Sequence, residues 1–202
     1  MRTLAAILFP NFELLDLAGP LEMFGNLKEQ VKVVTVAENA GPVASVQGVT
    51  LAAAYSFADC PSAEFVLLPG GFGTFPEGQN QAMLEFLKRV CPPAEQVMTV
   101  CSGSALLART GLLDGRNATT NKAYFAMCSN EGPAVNWVKE ARWVEDGAYA
   151  TSSGVSAGMD MALAVISKHF GEPAAEQLAL MTEYEWHRDP AWDPFAKAHN
   201  LV

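Results

Sequence analysis

The 202-residue chain is half hydrophobic by composition, which is enough apolar material for the core of one domain, and we predict a single domain over residues 1–202. A formal net charge of -9 and a pI near 4.8 argue against nucleic acid and anionic membranes as partners, because phosphate binding needs clustered lysine and arginine. No stretch reaches the roughly 20 apolar residues of a membrane-spanning helix, so no membrane partner is expected.

The cysteines and histidines form no recognisable metal or disulfide pattern. The four cysteines are far apart in sequence and include no C-x-x-C pair, which favours a reducing compartment and predicts a cytoplasmic protein. The three histidines lie on no H-E-x-x-H pattern. We therefore expect neither a metal site nor a bound cofactor.

Apolar runs of strand length alternate with segments of helical spacing, an arrangement that favours an α/β fold with a mostly parallel sheet and helices on both faces. The predicted strands are Leu4–Phe9, Val31–Ala37, Phe65–Leu68, Val97–Val100 and Ala148–Ser152. The partly alternating run from Val43 to Ala54, with Gly48 near its centre, predicts a small hairpin beside the sheet.

Helices are predicted between these strands. Pro20 suits a first helical turn, and apolar residues follow it at spacings that give one apolar face. Further helices are predicted at Ala82–Val90, Ser102–Thr110, Ala157–Phe170 and Pro173–Tyr184. The segment from Glu185 onward is too apolar for a free tail and too interrupted by proline for a long helix, so it should pack on the body of the protein or on a second subunit.

Cys101 stands where a strand runs directly into a helix through small residues, which is the pattern of a nucleophile elbow. Such a turn holds its side chain exposed, and the small neighbours Ser102 and Gly103 let a substrate approach. The amino end of the next helix presents free amides and a partial positive charge, which predicts a lowered pKa for the thiol. Cys101 is therefore the predicted nucleophile; the alternative is a buried, inert cysteine.

A second signal is the glycine-rich loop after Leu68, in which Pro69 precedes Gly70 and Gly71. The loop lacks the lysine and hydroxyl residue of a phosphate loop, so nucleotide binding is not indicated. Glycines at the carboxyl end of a parallel strand leave amides pointing into the ligand crevice. We predict that these amides and that of Ser102 form an anion hole; a plain turn is the alternative.

The third signal is the segment from Phe12 to Pro20, which follows the first strand and places the carboxyl group of Asp16 inside an otherwise apolar run. Burial of that kind requires a polar partner. A desolvated carboxyl group beside a thiol would have a raised pKa and could move a proton to and from a reacting group. The alternative is that Asp16 only caps a helix beginning near Gly19.

These three segments, in this order, resemble the PfpI-type cysteine superfamily, which is related to the class I glutamine amidotransferases and includes the parkinsonism-associated deglycase. The likeness runs through most of the chain and is strongest to the isocyanide hydratase branch, in the segments Leu15–Pro20, Phe57–Pro61, Pro69–Gly71, Val100–Ser104, Gly111–Leu113 and Ala118–Thr120. It implies a flavodoxin-like, doubly wound sheet, a homodimer, Cys101 at the elbow and Asp16 hydrogen-bonded to it. The same segments occur in the ligand domain of some AraC-type regulators.

One departure from the resemblance narrows the chemistry. Hydrolytic relatives place a histidine after the Thr119-Thr120 pair, where this chain has Asn121. Asparagine cannot accept a proton, so a Cys-His hydrolase loses its base at this position.

The sequence therefore favours a cysteine-dependent hydratase that converts a small isocyanide to an N-formamide. Cys101 is the expected nucleophile, Asp16 the acid and base, and the amides of Gly70, Gly71 and Ser102 the groups that orient the intermediate. The substrate should be small or apolar, since no cluster of charged residues accompanies the three motifs. Two alternatives remain open: a glyoxalase-like or deglycase-like enzyme acting on reactive aldehydes, and a non-enzymatic redox or ligand sensor.

Overall fold

A seven-stranded sheet lies at the centre of the protein, and all 202 residues are described by a computed structural model. The strands are β1 (Arg2–Ile7), β2 (Val31–Ala37), β3 (Gly41–Ala44), β4 (Thr50–Ala53), β5 (Tyr55–Ser56), β6 (Phe65–Leu68), β7 (Gln96–Val100), β8 (Asn117–Ala118), β9 (Asn136–Trp137), β10 (Trp143–Asp146) and β11 (Tyr149–Ser152). The helices are α1 (Leu14–Gly25), α2 (Thr74–Glu77), α3 (Gln81–Val90), α4 (Gly103–Ala108), α5 (Phe125–Ser129), α6 (Ala157–Phe170), α7 (Glu172–Met181) and α8 (Pro194–Ala198).

The central sheet has the strand order β10-β11-β7-β6-β1-β2-β5, and every neighbouring pair is parallel except β10 and β11. The chain leaves β1 toward β2 on one side and later returns to β6 and β7 on the other, so the strand order reverses between β1 and β6. Ligands of doubly wound sheets bind at the carboxyl ends of the strands beside such a reversal. The predicted α/β fold, with its mostly parallel sheet, is confirmed.

The five predicted strands are all present, with ends that differ by at most two residues from the prediction. All residues of β6 and β7 are buried, as expected for central strands of a parallel sheet that is covered on both faces. The predicted hairpin is the β3–β4 pair, a separate antiparallel sheet. Helix α6 has the predicted bounds, and α3, α4 and α7 differ from prediction by one to three residues at their ends.

The start of the first helix was predicted wrongly. Helix α1 begins at Leu14, six residues before Pro20, so this proline lies inside the helix and not in its first turn. Tertiary contacts hold the earlier turn: the amide of Glu13 donates to the Gly70 carbonyl at 2.8 Å, and the amide of Leu14 donates to Gln47 Oε1 at 3.1 Å. The preference of proline for the first turn of a helix is thus outweighed by the tertiary hydrogen bonds that hold the chain at Glu13 and Leu14.

The segment after Glu185 packs on the body of the protein, in agreement with one of the two predicted placements. Its backbone is anchored at Pro190, whose carbonyl accepts from the amide of Arg142 at 2.7 Å, and at His187, whose amide donates to Asp160 Oδ1 at 3.0 Å. The segment ends in the short helix α8, capped by the Asp193 side chain. None of the helices is long and apolar enough to cross a membrane.

Candidate active site at the carboxyl edge of the sheet

Cys101 occupies the tight turn between β7 and α4 and has a left-handed backbone with φ of +58°. A non-glycine residue in this region is strained and needs support from its surroundings. Here the Cys101 carbonyl accepts hydrogen bonds of 3.0 Å from the hydroxyls of both Ser104 and Thr120. The amide of Cys101 donates to the carbonyls of Ser152 and Ser153, at 3.2 and 3.1 Å. These contacts hold the predicted nucleophile elbow.

Two glycines allow the loop after β6 to approach the elbow closely. A Cβ atom at Gly103 would lie 2.5 Å from the Leu68 carbonyl oxygen. A Cβ atom at Gly70 would lie 2.7 Å from Asp16 Oδ2 and 2.8 Å from Cys101 Cβ. Real Cβ atoms do not come this close to such atoms, so glycine at both positions is a steric requirement of the site.

Asp16 is fully buried in the first part of α1 and faces the elbow. Its Oδ2 atom accepts from the Gly70 amide at 2.9 Å, whereas its Oδ1 atom is buried without a hydrogen-bond partner. Burial raises the pKa of Asp16 well above its ordinary value, the charge of Glu13 raises it further, and the contacts with the Gly70 amide and the Cys101 thiol oppose this. Asp16 lies inside α1, and the N-cap position is occupied by Glu13, whose side chain makes no capping hydrogen bond, so the interpretation of Asp16 as a helix cap is wrong.

Cys101 is 7% exposed, and the environment of its thiol corrects one prediction. Burial, followed by the charge of Asp16, raises the pKa of this thiol, while the Ser102 amide and Asn121 side chain lower it. The expected effect of the helix start is therefore present in the Ser102 amide, but burial of the sulfur outweighs it. The carboxyl group packed beside this thiol is that of Asp16, whose pKa is raised as well.

Asn121 donates from Nδ2 to Cys101 Sγ at 3.1 Å. Its Oδ1 atom accepts from the amide of Tyr124 at 3.1 Å, which fixes the orientation of the side-chain amide. The sequence indicated only that Asn121 could not act as a base; its contact with the sulfur was missed. Its place after Thr119 and Thr120 was the available signal, since family relatives carry a site residue there.

The amides predicted to form an anion hole are brought to the elbow, but two of them already have partners. The Gly70 amide donates to Asp16, and the Gly71 amide donates to Ser102 Oγ at 3.0 Å. The Ser102 hydroxyl also contacts Thr74 Oγ1 at 3.1 Å. The Ser102 amide faces the Cys101 sulfur. Binding of an intermediate by Gly71 and Ser102 therefore stays a prediction, and Gly70 positions Asp16.

A cavity of about 210 Å³ opens onto the sulfur. It is lined by Glu13, Gly71, Phe72, Phe75, Cys101, Ser102, Asn121, Tyr124 and Val155. The volume suits a small organic molecule, and three aromatic side chains supply an apolar wall. The site therefore combines a thiol, a buried carboxyl group and an amide donor under a small, largely apolar cavity.

A larger cavity of about 280 Å³ lies beside this one and shares Asn121 and Val155 with it, but it contains neither Cys101 nor Asp16. Phe195 and His199 of the C-terminal segment line it. Lys122 at its edge is buried and lies 3.2 Å from the equally buried Asp193 Oδ2. This ion pair ties the C-terminal segment to the residue next to Asn121.

None of the three histidines contacts the sulfur. His169 packs edge-on against Phe65 and lies near Glu95, His187 stacks on Trp192, and His199 lines the neighbouring cavity. The fold thus supplies no histidine in place of Asn121.

The chain is similar in sequence and in fold to known proteins. The model of the DJ-1/PfpI family matches residues 2–168. An isonitrile hydratase from Pseudomonas putida is 35% identical over 178 residues, which cover 88% of this chain and 76% of that protein. A THiJ/PfpI family protein from Pseudomonas syringae has a structure that superposes with a TM-score of 0.85 at 32% identity, covering 95% of this chain and 78% of that one.

A regulator is also among the relatives. The HTH-type transcriptional regulator GbdR of Pseudomonas aeruginosa is 26% identical over 91% of this chain, which spans about half of the regulator's length. The same domain is therefore found in an enzyme and in a transcription factor. From the match over residues 2–168 and the relative that is 35% identical over 88% of the chain, the chain belongs to the DJ-1/PfpI family.

Proposed function

We propose that the protein is a cysteine-dependent hydratase that converts an isocyanide to the corresponding N-formamide. The observation that supports this most directly is the set of groups around the sulfur: Asp16 as the proton carrier and Asn121 as a fixed donor, with no histidine. Cys-His hydrolases use a histidine as the base that also protonates the leaving group, and Asn121 stands where that histidine is expected. Hydration of an isocyanide expels no leaving group from the substrate.

The reaction adds one water molecule, so that R–N≡C and H₂O give R–NH–CHO. Cys101 Sγ attacks the terminal carbon, and the proton released from the thiol passes through Asp16 to that carbon, forming the thioimidate R–N=CH–S. Water then adds to the same carbon and the nitrogen takes up one of its protons. Breaking the C–S bond gives the formamide and returns the remaining proton to the sulfur.

Three contacts in the structure support the role proposed for each group in these steps. The unpartnered Oδ1 of Asp16 is the atom free to exchange a proton, while Oδ2 is held by Gly70. The Asn121 amide stabilises negative charge on the sulfur when the C–S bond forms and breaks. The Ser102 amide lies on the same sulfur and is the candidate donor to developing charge on the substrate.

The comparisons support this choice among related activities. The relative with 35% identity over most of the chain is an isonitrile hydratase, which is another name for the proposed activity. Aldehyde chemistry of the deglycase type is less well supported, because relatives that perform it carry a glutamate and often a histidine where this chain has Asp16 and Asn121. A sensor function, suggested by the regulator relatives, would leave Cys101 without turnover.

We further propose that the protein is a homodimer, as the family resemblance implies, and that it is cytoplasmic, as the scattered cysteines favour. Light scattering on purified protein separates a dimer from a monomer.

The decisive experiment for the activity is to mix purified protein with phenyl isocyanide and to follow the N-formamide by chromatography and mass spectrometry. Turnover that depends on Cys101 and is lost in Cys101→Ala supports the proposal. Absence of formamide with every isocyanide tested, from a folded protein with a free Cys101 thiol, would falsify it. A Cys101-dependent conversion of methylglyoxal instead would assign the aldehyde chemistry.

A further inference from the structure

The cavity at Cys101 has one charged wall. Glu13 lines it, and no lysine, arginine or histidine does. The nearby basic groups, Lys122 and His199, line the neighbouring cavity, and Lys122 is paired with Asp193. A ligand that enters toward the sulfur therefore meets a carboxylate with no cation to neutralise it.

The Glu13 side chain is held in place by the β3–β4 hairpin. Its Oε1 atom accepts from Gln47 Nε2 at 2.6 Å, and Gln47 Oε1 in turn accepts from the Leu14 amide. The backbone of Glu13 is fixed by the bond from its amide to the Gly70 carbonyl at 2.8 Å. Only Oε1 is engaged in this way, so Oε2 remains available to a ligand. The carboxylate is thus positioned by two separate elements and is not a freely moving surface group.

Aromatic rings stand on the same cavity. Phe72 and Tyr124 are 56% and 46% exposed, and their ring centroids lie 5.6 Å apart at an angle of 75°. Phe75 completes this aromatic wall. Cations are attracted to aromatic faces and to carboxylates, whereas anions are repelled by both. The protein's net charge of -9 adds to this preference as a ligand approaches.

We infer that this cavity selects its ligands by charge, favouring a substituent that is cationic or neutral and aromatic over one that is anionic, with Glu13 as the specificity-determining residue. The part of this inference that takes the ligand to be an isocyanide substrate rests on the proposed hydratase function. It refines the expectation from sequence of a small or apolar substituent, because Glu13 was not recognised there as part of the site.

Turnover tests the inference on the substrate. Three phenyl isocyanides are compared, with a trimethylammoniomethyl group, hydrogen or a carboxymethyl group at the para position. We expect kcat/KM to fall in that order in the wild-type protein. In Glu13→Gln, which keeps the size and the contact with Gln47, the ratio of the cationic to the anionic substrate should fall by about threefold or more. Intrinsic differences in substrate reactivity cancel when the two proteins are compared.

The matched control is Glu29→Gln. It changes the net charge equally at an exposed position that lines none of the cavities described above. In this variant the ratio should stay at the wild-type value. An equal fall in Glu29→Gln and Glu13→Gln would assign the preference to the overall charge of the protein and overturn the role of Glu13.

A second readout does not depend on the hydratase activity. Methanethiosulfonates carry a cationic trimethylammonioethyl, a neutral ethyl or an anionic sulfonatoethyl group. The Cys101 thiolate displaces methanesulfinate from them and forms a mixed disulfide, whose rate of formation is measured by peptide mass spectrometry. Cys60, which lines a different cavity, serves as the reference thiol in the same sample.

Relative to Cys60, Cys101 should prefer the cationic reagent, and the preference should shrink in Glu13→Gln and, for the wild-type protein, at high salt. An equal preference at both thiols in the wild-type protein would overturn the inference, even if Glu13→Gln failed to fold. Formamide production without any charge discrimination would overturn it while leaving the hydratase function intact. Absence of turnover with an intact reagent preference would instead overturn the hydratase function alone.

Discussion

The backbone amide of Gly70 donates to the buried carboxyl group of Asp16 at 2.9 Å, and it does so across 54 residues of sequence. The glycine-rich loop after β6 thereby positions the acid on α1, and both lie at the reversal of strand order. The sequence predicted that this loop contributes to an anion hole, but in the structure the amide of its first glycine holds the carboxyl group of Asp16.

The first prediction concerns this contact. Gly70→Ala should reduce both activity and stability, because its Cβ would lie within 2.8 Å of Asp16, Ser102 and Cys101. We expect an activity loss of about 10²-fold or more, since the acid and the nucleophile must move apart. Initial rates and thermal melts measure the two effects.

Gly25→Ala is the matched control for Gly70→Ala. A Cβ at Gly25 meets nothing within 4 Å, and the position is the last residue of α1. This variant should keep wild-type activity and should gain rather than lose stability. A Gly70→Ala protein with wild-type rates would show that the site tolerates the displacement.

The second prediction concerns Asp16. Asp16→Asn keeps the size of the side chain and removes its titration, so turnover should fall by about 10²- to 10⁴-fold. The pKa of Asp16 is raised in the folded protein, so the folded state holds a proton that the unfolded chain has already released. Its contribution to stability is present below the ordinary value of 3.8 and is lost as the pH rises through the raised value.

Asp16→Asn should therefore be less active and yet lose less stability than the wild-type protein between acidic and neutral pH. Urea unfolding at several pH values, together with initial rates, tests both parts. If the free energy of unfolding of Asp16→Asn falls between acidic and neutral pH as much as that of the wild-type protein, Asp16 does not have the raised pKa.

The third prediction concerns the donor to the sulfur. The hydrogen bond from Asn121 to Cys101 Sγ lowers the pKa of the thiol, and Asn121→Ala removes this hydrogen bond. The pKa should rise further in the variant, and alkylation of Cys101 by iodoacetamide at fixed pH should slow by about tenfold. The pH dependence of alkylation is the direct measurement, because a purely structural effect would not move it toward higher pH.

Asn39→Ala is a suitable control for Asn121→Ala, since Asn39 is exposed and distant in sequence from the site. It should leave the alkylation profile unchanged. Faster alkylation in Asn121→Ala would mean that the amide shields the sulfur instead of activating it.

The fourth prediction concerns the ion pair of Lys122 and Asp193, whose side chains are 2% and 1% exposed. Removing one partner leaves a buried charge unpaired, so Lys122→Met should destabilise the protein by about 3 to 5 kcal/mol. The double variant Lys122→Met, Asp193→Asn should recover part of that loss. The exposed Arg188, paired with Glu172 and Glu176, is the control, and Arg188→Met should have a much smaller effect. Equal losses for the buried and exposed pairs would contradict the prediction.

The central strands could be predicted from the sequence because they are continuous apolar runs, as Phe65–Leu68 shows. The start of α1 could not, because it depends on Gly70 and Gln47, which lie far along the chain. Local preference favoured Pro20 as the start, and tertiary hydrogen bonds moved it to Leu14. Errors of this kind concentrate where the backbone is held by another part of the fold.

The candidate site shows the same division. Cys101 and Asp16 were identified from their local settings, and the fold brings them together. The roles of Asn121 and Glu13 were not identified, because an amide beside a sulfur and a carboxylate on a cavity wall depend on distances across the fold. The sign of the thiol pKa shift also required the structure, since burial cannot be read from the helix start alone.

The left-handed backbone of Cys101 implies a trade-off between durability and chemistry. At φ of +58°, the cysteine backbone bears a strain of about 1 to 2 kcal/mol that a glycine at this position would not have. Selection in the laboratory for heat resistance alone would therefore tend to replace Cys101 by glycine, and under the proposed mechanism the resulting protein would be inactive. Screens for robust variants of this protein should score turnover and melting together from the first round.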